Sequence, residues 1–401
     1  MSILVRICLA VFMLCMAAIS TLAAGSEDGD FSAMNDEQLI EQVWQSGGQM
    51  AEAFASNFLQ SVPPAQLKAI MRPMLEELGK AETVVKTGDG EYELRTATHR
   101  VPVFLSRDGN GLISGLLLRP AIALNVDPAA TLQTLMDMAP QVSVLASTDG
   151  RTIAEVNPQL RLAVGSAFKL YVLAELQARV AEGDLNWRDV VELEARHKSL
   201  PSGMMQDWPV GTPLTLQTAA QMMIAISDNT ATDLLIDVVG RGAMERRSGN
   251  VPFITTRELF HIRGDRDLAN RYLQADTIEI RRGLLAGLKD RPDPTLGDIR
   301  PFSLDHPAEW YFSAQELCAA MALVADLPLM TAEPGPLSRK DWKRIAFKGG
   351  SEGGVLNMTA QFEGADGRQH CLAVTLNSNR PIDAPKFSRA FVELAASLGA
   401  S

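Results

Sequence analysis

Apolar positions near the start of the chain follow first a helical and then an alternating period. Helical spacing extends over residues 35–59 and again from Pro63-Pro64 to residue 78. Three alternating runs follow, at 92–98, 100–105 and 111–118, with turn pairs at Asp89-Gly90 and Asp108-Gly109. Helices followed by a small antiparallel sheet predict an α+β domain, which we place at residues 25–125.

The rest of the chain has strand patterns at both ends and a long helical region between them. After a helical stretch at 132–138, two strand patterns lie on either side of Asp149-Gly150. The closing patterns are three strands at 345–348, 354–362 and 370–377, and a helix at 386–398. We therefore predict a second α+β domain, residues 126–401, in which both ends of the segment build one antiparallel sheet.

Residues 1–24 have the pattern of an export signal. One positive charge, Arg6, precedes an apolar run from Ile7 to Ser20, and small residues at 23–25 come before an acidic segment. The run is shorter than the roughly 20 residues that a membrane-spanning helix needs. We expect cleavage after this segment and a periplasmic or secreted protein without a membrane anchor.

Composition and charge narrow the range of partners. The chain of 401 residues has a net charge of −11, which becomes −12 when the single charge of residues 1–24 is removed. An acidic chain without a Lys/Arg block argues against nucleic acid and membrane surfaces as partners. We expect a small-molecule or peptide-like substrate, and the sequence leaves the oligomeric state open.

Cysteine and histidine usage points to no cofactor. Cys8 and Cys15 leave with the export segment, whereas Cys318 and Cys371 remain as either a disulfide or two free thiols. The five histidines are scattered without the spacing of a metal site. No metal or other cofactor is expected.

The first motif with catalytic chemistry is Ser166-Ala167-Phe168-Lys169. Apolar residues at helical spacing follow it, which places Ser166 at a helix start and Lys169 one turn later on the same face. A serine hydroxyl needs a nearby base, and a lysine is that base only when its pKa is lowered toward neutrality. Alone, the motif is equally compatible with a capping serine and a surface lysine.

Two further motifs lie in the same domain. Ser227-Asp228-Asn229 stands between two apolar helical stretches, and Lys348-Gly349-Gly350-Ser351 follows the end of a strand pattern. Taken singly, the former is ordinary helix-cap chemistry and the latter a glycine-rich turn.

Together, the three motifs resemble the Ser-x-x-Lys, Ser-Asp-Asn and Lys-Thr-Gly set of serine β-lactamases and penicillin-binding proteins. Their order and the 61 residues from Ser166 to Ser227 are similar to that family. The segment GTPLTLQTAAQMMIAISDNTATDLLIDVVG also looks like the surroundings of the second motif in class A β-lactamases. The resemblance covers residues 128–401.

The resemblance implies a role for each motif. Ser166 would be acylated, Lys169 would take its proton, and Ser227 would relay a proton to the leaving group. Lys348 would supply a positive field. The same comparison implies that Asn229 would hydrogen-bond the substrate or Lys169. It also implies that Gly350 and Ser351 bind the substrate, with the Ser351 amide completing an oxyanion hole with that of Ser166. Phe347, next to Lys348, could either narrow the cleft or serve only in packing.

The sequence departs from the class A pattern at two places. Gly349 stands where those enzymes carry a hydroxyl residue, so one substrate donor is missing. The only candidate for the glutamate that primes the deacylating water is Glu258, which lacks the family's following Leu-Asn. Its alternative role is a structural ion pair with Arg257 or Arg263. These departures predict weak penicillin hydrolysis.

A second resemblance accounts for the domain order. Residues 25–125 are similar in helix–helix–strand order to the steroid-isomerase-like (NTF2-like) domain of two-domain β-lactamase-like esterases. The resulting prediction is a serine hydrolase acting on an ester, amide or β-lactam. Two alternatives stay open: a class A-type β-lactamase that uses Glu258, or a penicillin-binding sensor that remains acylated.

Overall fold

The computed structural model describes residue 31 and residues 34–289, 291–304 and 308–399. The predicted export segment lies outside the described residues. The chain divides into two compact units, one with the described residues up to Glu77 together with Leu105–Leu116, and one with Leu78–Phe104 and the residues from Leu117 onward. The predicted domain boundary at residue 125 stays a prediction.

The described part of the first unit contains helices and, within Leu105–Leu116, the end of one strand and most of another. It contains α1 (Asp36–Gln45), α2 (Ser56–Ser61) and most of α3 (Pro64–Leu78). The predicted helical stretch at 35–59 is thus two helices, because Gly47 and Gly48 adopt positive φ angles of 59° and 80°. A side chain at Gly48 would lie 2.8 Å from the Leu67 carbonyl oxygen, so the interruption requires glycine.

The second unit begins with a small antiparallel sheet. Strand β1 (Thr83–Gly88) pairs with β2 (Glu91–Arg95), which pairs with β3 (His99–Arg107), and β3 also pairs with β5 (Ile122–Ala123). Strand β4 covers Ile113–Leu118, and its residues up to Leu116 belong to the first unit. The predicted turn between β1 and β2 is confirmed, whereas β1 itself, which has little buried surface, was not predicted.

The large sheet of the second unit confirms the arrangement predicted from both ends of the domain. Its antiparallel order is β12-β13-β14-β6-β7. The strands are β6 (Gln141–Thr148), β7 (Arg151–Val156), β12 (Arg344–Glu352), β13 (Val355–Glu363) and β14 (Gln369–Asn377). One face is covered by α4 (Pro128–Met138) and α13 (Ala384–Gly399), whose buried Phe387 and Phe391 belong to the core on that side.

The helical region of this unit packs around α5 (Lys169–Glu182), whose Leu170, Val172, Leu173 and Leu176 are fully buried. The other helices are α6 (Leu216–Ala225), α7 (Asn229–Val239), α8 (Arg241–Ser248), α9 (Thr256–Gly264), α10 (Arg266–Leu273), α11 (Ile278–Ala286) and α12 (Ala314–Val324). Two short strand pairs complete the unit: β8 (Leu162–Ala163) with β11 (Tyr311–Phe312), and β9 (Val190–Glu192) with β10 (Pro213–Thr215). Among the described helices, none has the length and apolar character required to cross a bilayer.

A disulfide joins α12 to the large sheet. The sequence left the state of Cys318 and Cys371 open, and the structure places their sulfur atoms 2.00 Å apart. The bond connects a helix on one face of the sheet directly to its central strand β14, near the middle of the fold.

Candidate active site

Ser166 lies in a tight turn that leads into α5. The turn is a 3-10 helix, Gly165–Phe168, and Gly165 has a φ of 49°, a conformation that glycine adopts without strain. Phe168 anchors the turn by stacking on Trp310, with ring centroids 3.6 Å apart. The predicted helix-start position of the serine is therefore confirmed, and its side chain is half-buried.

Lys169 is the first residue of α5 and is completely buried. Its Nζ lies 2.5 Å from the Ser227 carbonyl oxygen, 3.1 Å from Ser227 Oγ and 2.7 Å from Asn229 Oδ1. Burial lowers the Lys169 pKa well below its ordinary value, and repulsion from Lys348 lowers it further. The first motif thus supplies a lysine whose neutral form is favoured.

Lys348 approaches the same serine from strand β12. Its Nζ donates to Ser227 Oγ at 3.1 Å and to the Gly349 carbonyl oxygen at 2.7 Å. Burial lowers the pKa of Lys348 to about 7. The lysines of the first and third motifs therefore meet at the serine of the second.

Ser227 occupies a strained backbone position between α6 and α7. Its φ is +57°, in the left-handed region that non-glycine residues rarely adopt. Strain of this kind persists only where neighbouring contacts impose it. Here the Ser227 carbonyl accepts from Lys169 and, at 2.6 Å, from Ser202 Oγ. These bonds hold the hydroxyl between the two lysines.

Asp228 fixes the loop before α6 to the site. One carboxylate oxygen caps α7 through Ala231 N at 2.9 Å, and the other accepts from Met204 N at 2.7 Å and Met205 N at 2.9 Å. A side chain at Gly203 would lie 2.2 Å from this second oxygen, so the loop can approach only with glycine there. The middle residue of the second motif is thus structural.

Gly350 brings strand β12 against the serine turn. A side chain there would lie 2.1 Å from the Val164 carbonyl oxygen and 2.7 Å from Ser166 N. A side chain at Gly165 would in turn lie 3.4 Å from Ser351 N. The structure therefore brings the backbone amides of Ser166 and Ser351 to neighbouring positions, on the segments that sequence analysis singled out.

Phe347 does not share this surface. Adjacent residues of a strand point to opposite faces of the sheet, so its ring lies on the face opposite to Lys348. It packs at the edge of the core that contains α13, with its ring centroid 6.5 Å from that of Phe391.

Glu258 is engaged at the start of α9. It forms a capping box with Thr255, accepting from Thr255 N at 2.8 Å through one oxygen. Its other oxygen accepts from Arg241 Nη2 at 2.6 Å. Glu258 therefore forms a structural ion pair, as the alternative prediction had it, but its partner is Arg241 instead of Arg257 or Arg263.

Two buried acids near the site, Asp233 and Glu309, were not predicted from the sequence. Asp233 accepts from Thr256 N at 2.7 Å and from Thr256 Oγ1 at 2.8 Å, and burial raises its pKa to about 7. Glu309 accepts from Gly165 N at 2.9 Å, and burial raises its pKa well above the ordinary value. An acid within the apolar pattern of α7 was a signal for Asp233, whereas the irregular segment around Glu309 offered none.

No group of three or more metal-ligating side chains is present in the part of the chain that the structure describes. The chemistry available at the site is that of a hydroxyl, two buried amines and backbone amides. This combination suits acyl transfer, which needs a nucleophile, a base and donors for a developing oxyanion.

A family model described as the β-lactamase enzyme family matches residues 128–280, a segment that includes the first two motifs and Glu258. The resemblance to β-lactamases is confirmed over this part of the chain. No curated protein matches the chain.

Three solved structures illustrate the similarity. A β-lactamase from Sphaerobacter thermophilus DSM 20745 is 21% identical, with 67% of this chain and 94% of that chain covered and a TM-score of 0.46. PBP-A is 15% identical, with 68% and 100% covered and a TM-score of 0.44. An ancestral class A β-lactamase is 17% identical, with 68% and 99% covered and a TM-score of 0.48.

Proposed function

We propose that this chain, of which residues 128–280 match a family model described as the β-lactamase enzyme family, is a serine hydrolase acylated at Ser166. The observation that carries the proposal is the placement of two buried lysines around Ser227 Oγ, each at 3.1 Å. Such a site can move protons to and from a substrate held over the serine turn.

Acylation begins at the hydroxyl of Ser166. Its Oγ attacks the carbonyl carbon of an ester, amide or β-lactam, and the proton passes to the neutral amine of Lys169. Burial and the neighbouring Lys348 lower the Lys169 pKa, which favours this neutral form. A neutral Lys169 can donate to the Ser227 carbonyl oxygen and to Asn229 Oδ1 while its lone pair accepts a proton.

The negative oxygen that forms on the substrate requires donors at a fixed position. The amides of Ser166 and Ser351 are proposed to supply them, and the close approach of Gly350 to the serine turn supports this assignment. As the bond to the leaving group breaks, Ser227 passes a proton to that group and is reprotonated from Lys169. The charge on Lys348 stabilises the negative charge in the cleft.

Deacylation is the weaker half of the proposed cycle. Water must attack the acyl-enzyme, and both carboxylate oxygens of Glu258 already have partners in Thr255 and Arg241. Gly349 also removes one hydroxyl donor for a β-lactam carboxylate. These features favour weak β-lactamase activity, and they support a penicillin-binding sensor with a long-lived acyl-enzyme as the second candidate.

We also propose that the protein is exported, which rests on the pattern of residues 1–24. Amino-terminal sequencing of the protein from its native host is expected to find a start near residue 25. An intact amino terminus would contradict export by cleavage.

Intact-mass spectrometry over time tests the acyl-enzyme directly. The protein from residue 25 onward is mixed with a penicillin, a cephalosporin or a p-nitrophenyl ester, in parallel with Ser166→Ala. We expect an adduct that depends on Ser166 and whose decay rate separates a hydrolase from a sensor. The absence of an adduct and of turnover with all three compounds contradicts the proposed function.

A further inference from the structure

Arg263 lies between two carboxyl groups that belong to different parts of the active site. Its guanidinium pairs with both carboxylate oxygens of Glu352, with Nη2 2.9 Å from Oε1. The same Nη2 lies 3.9 Å from Glu309 Oε1 and donates to the Ala308 carbonyl oxygen at 3.2 Å. The side chains of Arg263 and Glu309 are 7% and 0% exposed, so the group is enclosed by protein.

Each of these acids is connected to one of the two amides assigned to the oxyanion hole. Glu309 Oε2 accepts from the N–H of Gly165 at 2.9 Å, and Gly165 directly precedes Ser166. Glu352 directly follows Ser351 at the end of β12. The Arg263 guanidinium therefore lies beside one acid bonded to the Ser166 segment, Glu309, and one acid that belongs to the Ser351 segment, Glu352.

We propose that Arg263 and Glu309 are positioning residues that set the distance and direction of the Ser166 and Ser351 amides. The inference rests on the proposed function, because it assigns a role within the same acyl-transfer site. Neither side chain takes part in proton transfer.

The cost of this arrangement supports a role other than stability. A buried arginine beside a buried acid often stabilises a fold no more than apolar groups of similar volume in the same place. Glu309 Oε1 has no hydrogen-bond partner among the residues that the structure describes. Burial, with Glu352 nearby, raises the Glu309 pKa well above its ordinary value, and the carboxyl group can accept from Gly165 in either protonation state.

Positioning has a kinetic signature that packing alone does not have. Oxyanion donors act on the transition state, so displaced amides slow acylation at saturating substrate and leave the dissociation constant of the substrate unchanged. An amide side chain at position 309 keeps the acceptor for Gly165, whereas alanine removes it. The conservative variant is therefore expected to rescue the rate.

The experiment compares Glu309→Ala, Glu309→Gln and Arg263→Lys with the wild type. Arg257→Lys is the matched control, because Arg257 is on the same helix and also joins a carboxylate, Asp293, to backbone carbonyls. Stopped-flow acylation by a p-nitrophenyl ester gives the rate and the dissociation constant. The affinity of phenylboronic acid, which forms a tetrahedral adduct with a nucleophilic serine, reports on the oxyanion hole itself.

We expect Glu309→Ala and Arg263→Lys to lower the acylation rate and the boronate affinity together by about 10-fold or more. Glu309→Gln should stay within about 3-fold of the wild type, since the acceptor is kept, and Arg257→Lys should match the wild type. Wild-type rates in Glu309→Ala, or equal losses in Glu309→Ala and Glu309→Gln, overturn the inference. If Glu309→Ala does not fold, a wild-type acylation rate in Arg263→Lys overturns it.

Failure of the proposed function is recognisable separately, because the wild type would then form no adduct with the ester. In that case the inference is tested by hydrogen exchange of the Ser166 and Ser351 amides in the wild type, Arg263→Lys and Arg257→Lys. Faster exchange at both amides in Arg263→Lys but not in Arg257→Lys supports positioning. Unchanged exchange overturns it.

Discussion

Lys169 and Lys348 share one hydrogen-bond acceptor, Ser227 Oγ, which lies 3.1 Å from the Nζ of each. Both amines are buried, and two ammonium groups that share one acceptor repel each other strongly in a medium of low dielectric constant. Repulsion from Lys348 accordingly contributes to the lowered pKa of Lys169. The pair is therefore suited to carry one positive charge, with Lys169 as the base and Lys348 as the cation.

Replacement of Lys169 by arginine tests the base. Arginine keeps a positive charge and does not lose its proton in the working pH range, so it cannot accept the proton of Ser166. We expect Lys169→Arg to slow acylation by about 10²- to 10⁴-fold, measured as the rate of adduct formation by intact mass. Lys343→Arg, an exposed lysine just before β12, is the control. Acylation of Lys169→Arg at the wild-type rate would exclude Lys169 as the base.

The acylation rate should have a bell-shaped dependence on pH. It rises as Lys169 loses its proton and falls above about pH 7, where Lys348 loses the charge that stabilises the oxyanion. Lys348→Arg remains charged and should lose the falling limb. The measurement is the single-turnover acylation rate from pH 5 to about pH 10, the upper end being set by the ordinary lysine pKa. A wild-type rate that keeps rising above pH 8 would contradict the charged role.

Much of this site follows from residue types and spacing. Ser166 and Lys169 lie one turn apart because a helical apolar pattern starts at Phe168. Lys348 is on a strand because the three residues before it, 345–347, are apolar. The meeting of the motifs at Ser227 could be inferred only through the family resemblance. A short motif indicates which chemical groups are present, but the distance in space between motifs far apart in the sequence depends on how the whole core packs.

The parts that the sequence did not reveal depend on contacts distant in sequence. Glu309 accepts from Gly165, 144 residues earlier, and Arg263 pairs with Glu352, 89 residues later. Neither contact leaves a periodic signal, because each involves one isolated charged residue. Of the two alternatives that the sequence left open for Phe347, the structure shows packing: its neighbour Lys348 faces the site, so strand alternation turns the ring away.

Lys348, which is proposed to supply a positive charge in the cleft, is expected to reduce the free energy of unfolding. Its pKa is about 7 in the folded protein against an ordinary value of 10.5 when unfolded. Below pH 7 the fold must bury the ammonium group, so the destabilisation is fully present there. Between pH 7 and 10.5 only the unfolded chain binds this proton, and the destabilisation declines as pH rises.

Lys348→Met removes the buried charge and keeps a similar volume. We expect this variant to melt at a higher temperature than the wild type, with the largest difference below pH 7 and a smaller one toward pH 10. Differential scanning calorimetry over this range gives the comparison. A difference in melting temperature that does not change with pH would show that Lys348 keeps its ordinary pKa.

Glu258 should affect stability more than deacylation. Its carboxylate completes the capping box of α9 and pairs with Arg241, so Glu258→Ala is expected to cost about 1 kcal/mol of unfolding free energy. The decay rate of the acyl-enzyme should stay within about 2-fold of the wild type, because capping contacts act on the helix and not on the acyl group. Glu316→Ala, which breaks the equivalent capping box of α12, is the control. A selective loss of deacylation in Glu258→Ala would instead identify Glu258 as the base that primes water.

The disulfide between Cys318 and Cys371 should stabilise the fold by restricting the unfolded chain. It closes a loop with a sequence separation of 53 residues, and a loop of this size corresponds to about 4 kcal/mol in the chain-entropy description. Lys348 lies within this loop, whereas Ser166, Lys169 and Ser227 lie outside it. The bond therefore limits how far the segment that carries Lys348 can move from Cys318 and Cys371 in the unfolded chain. We expect the double variant Cys318→Ala/Cys371→Ala to lose stability in urea titrations, and a reductant to have the same effect on the wild type but none on the variant. Equal urea midpoints for the variant and the oxidised wild type would show that the bond adds nothing to stability.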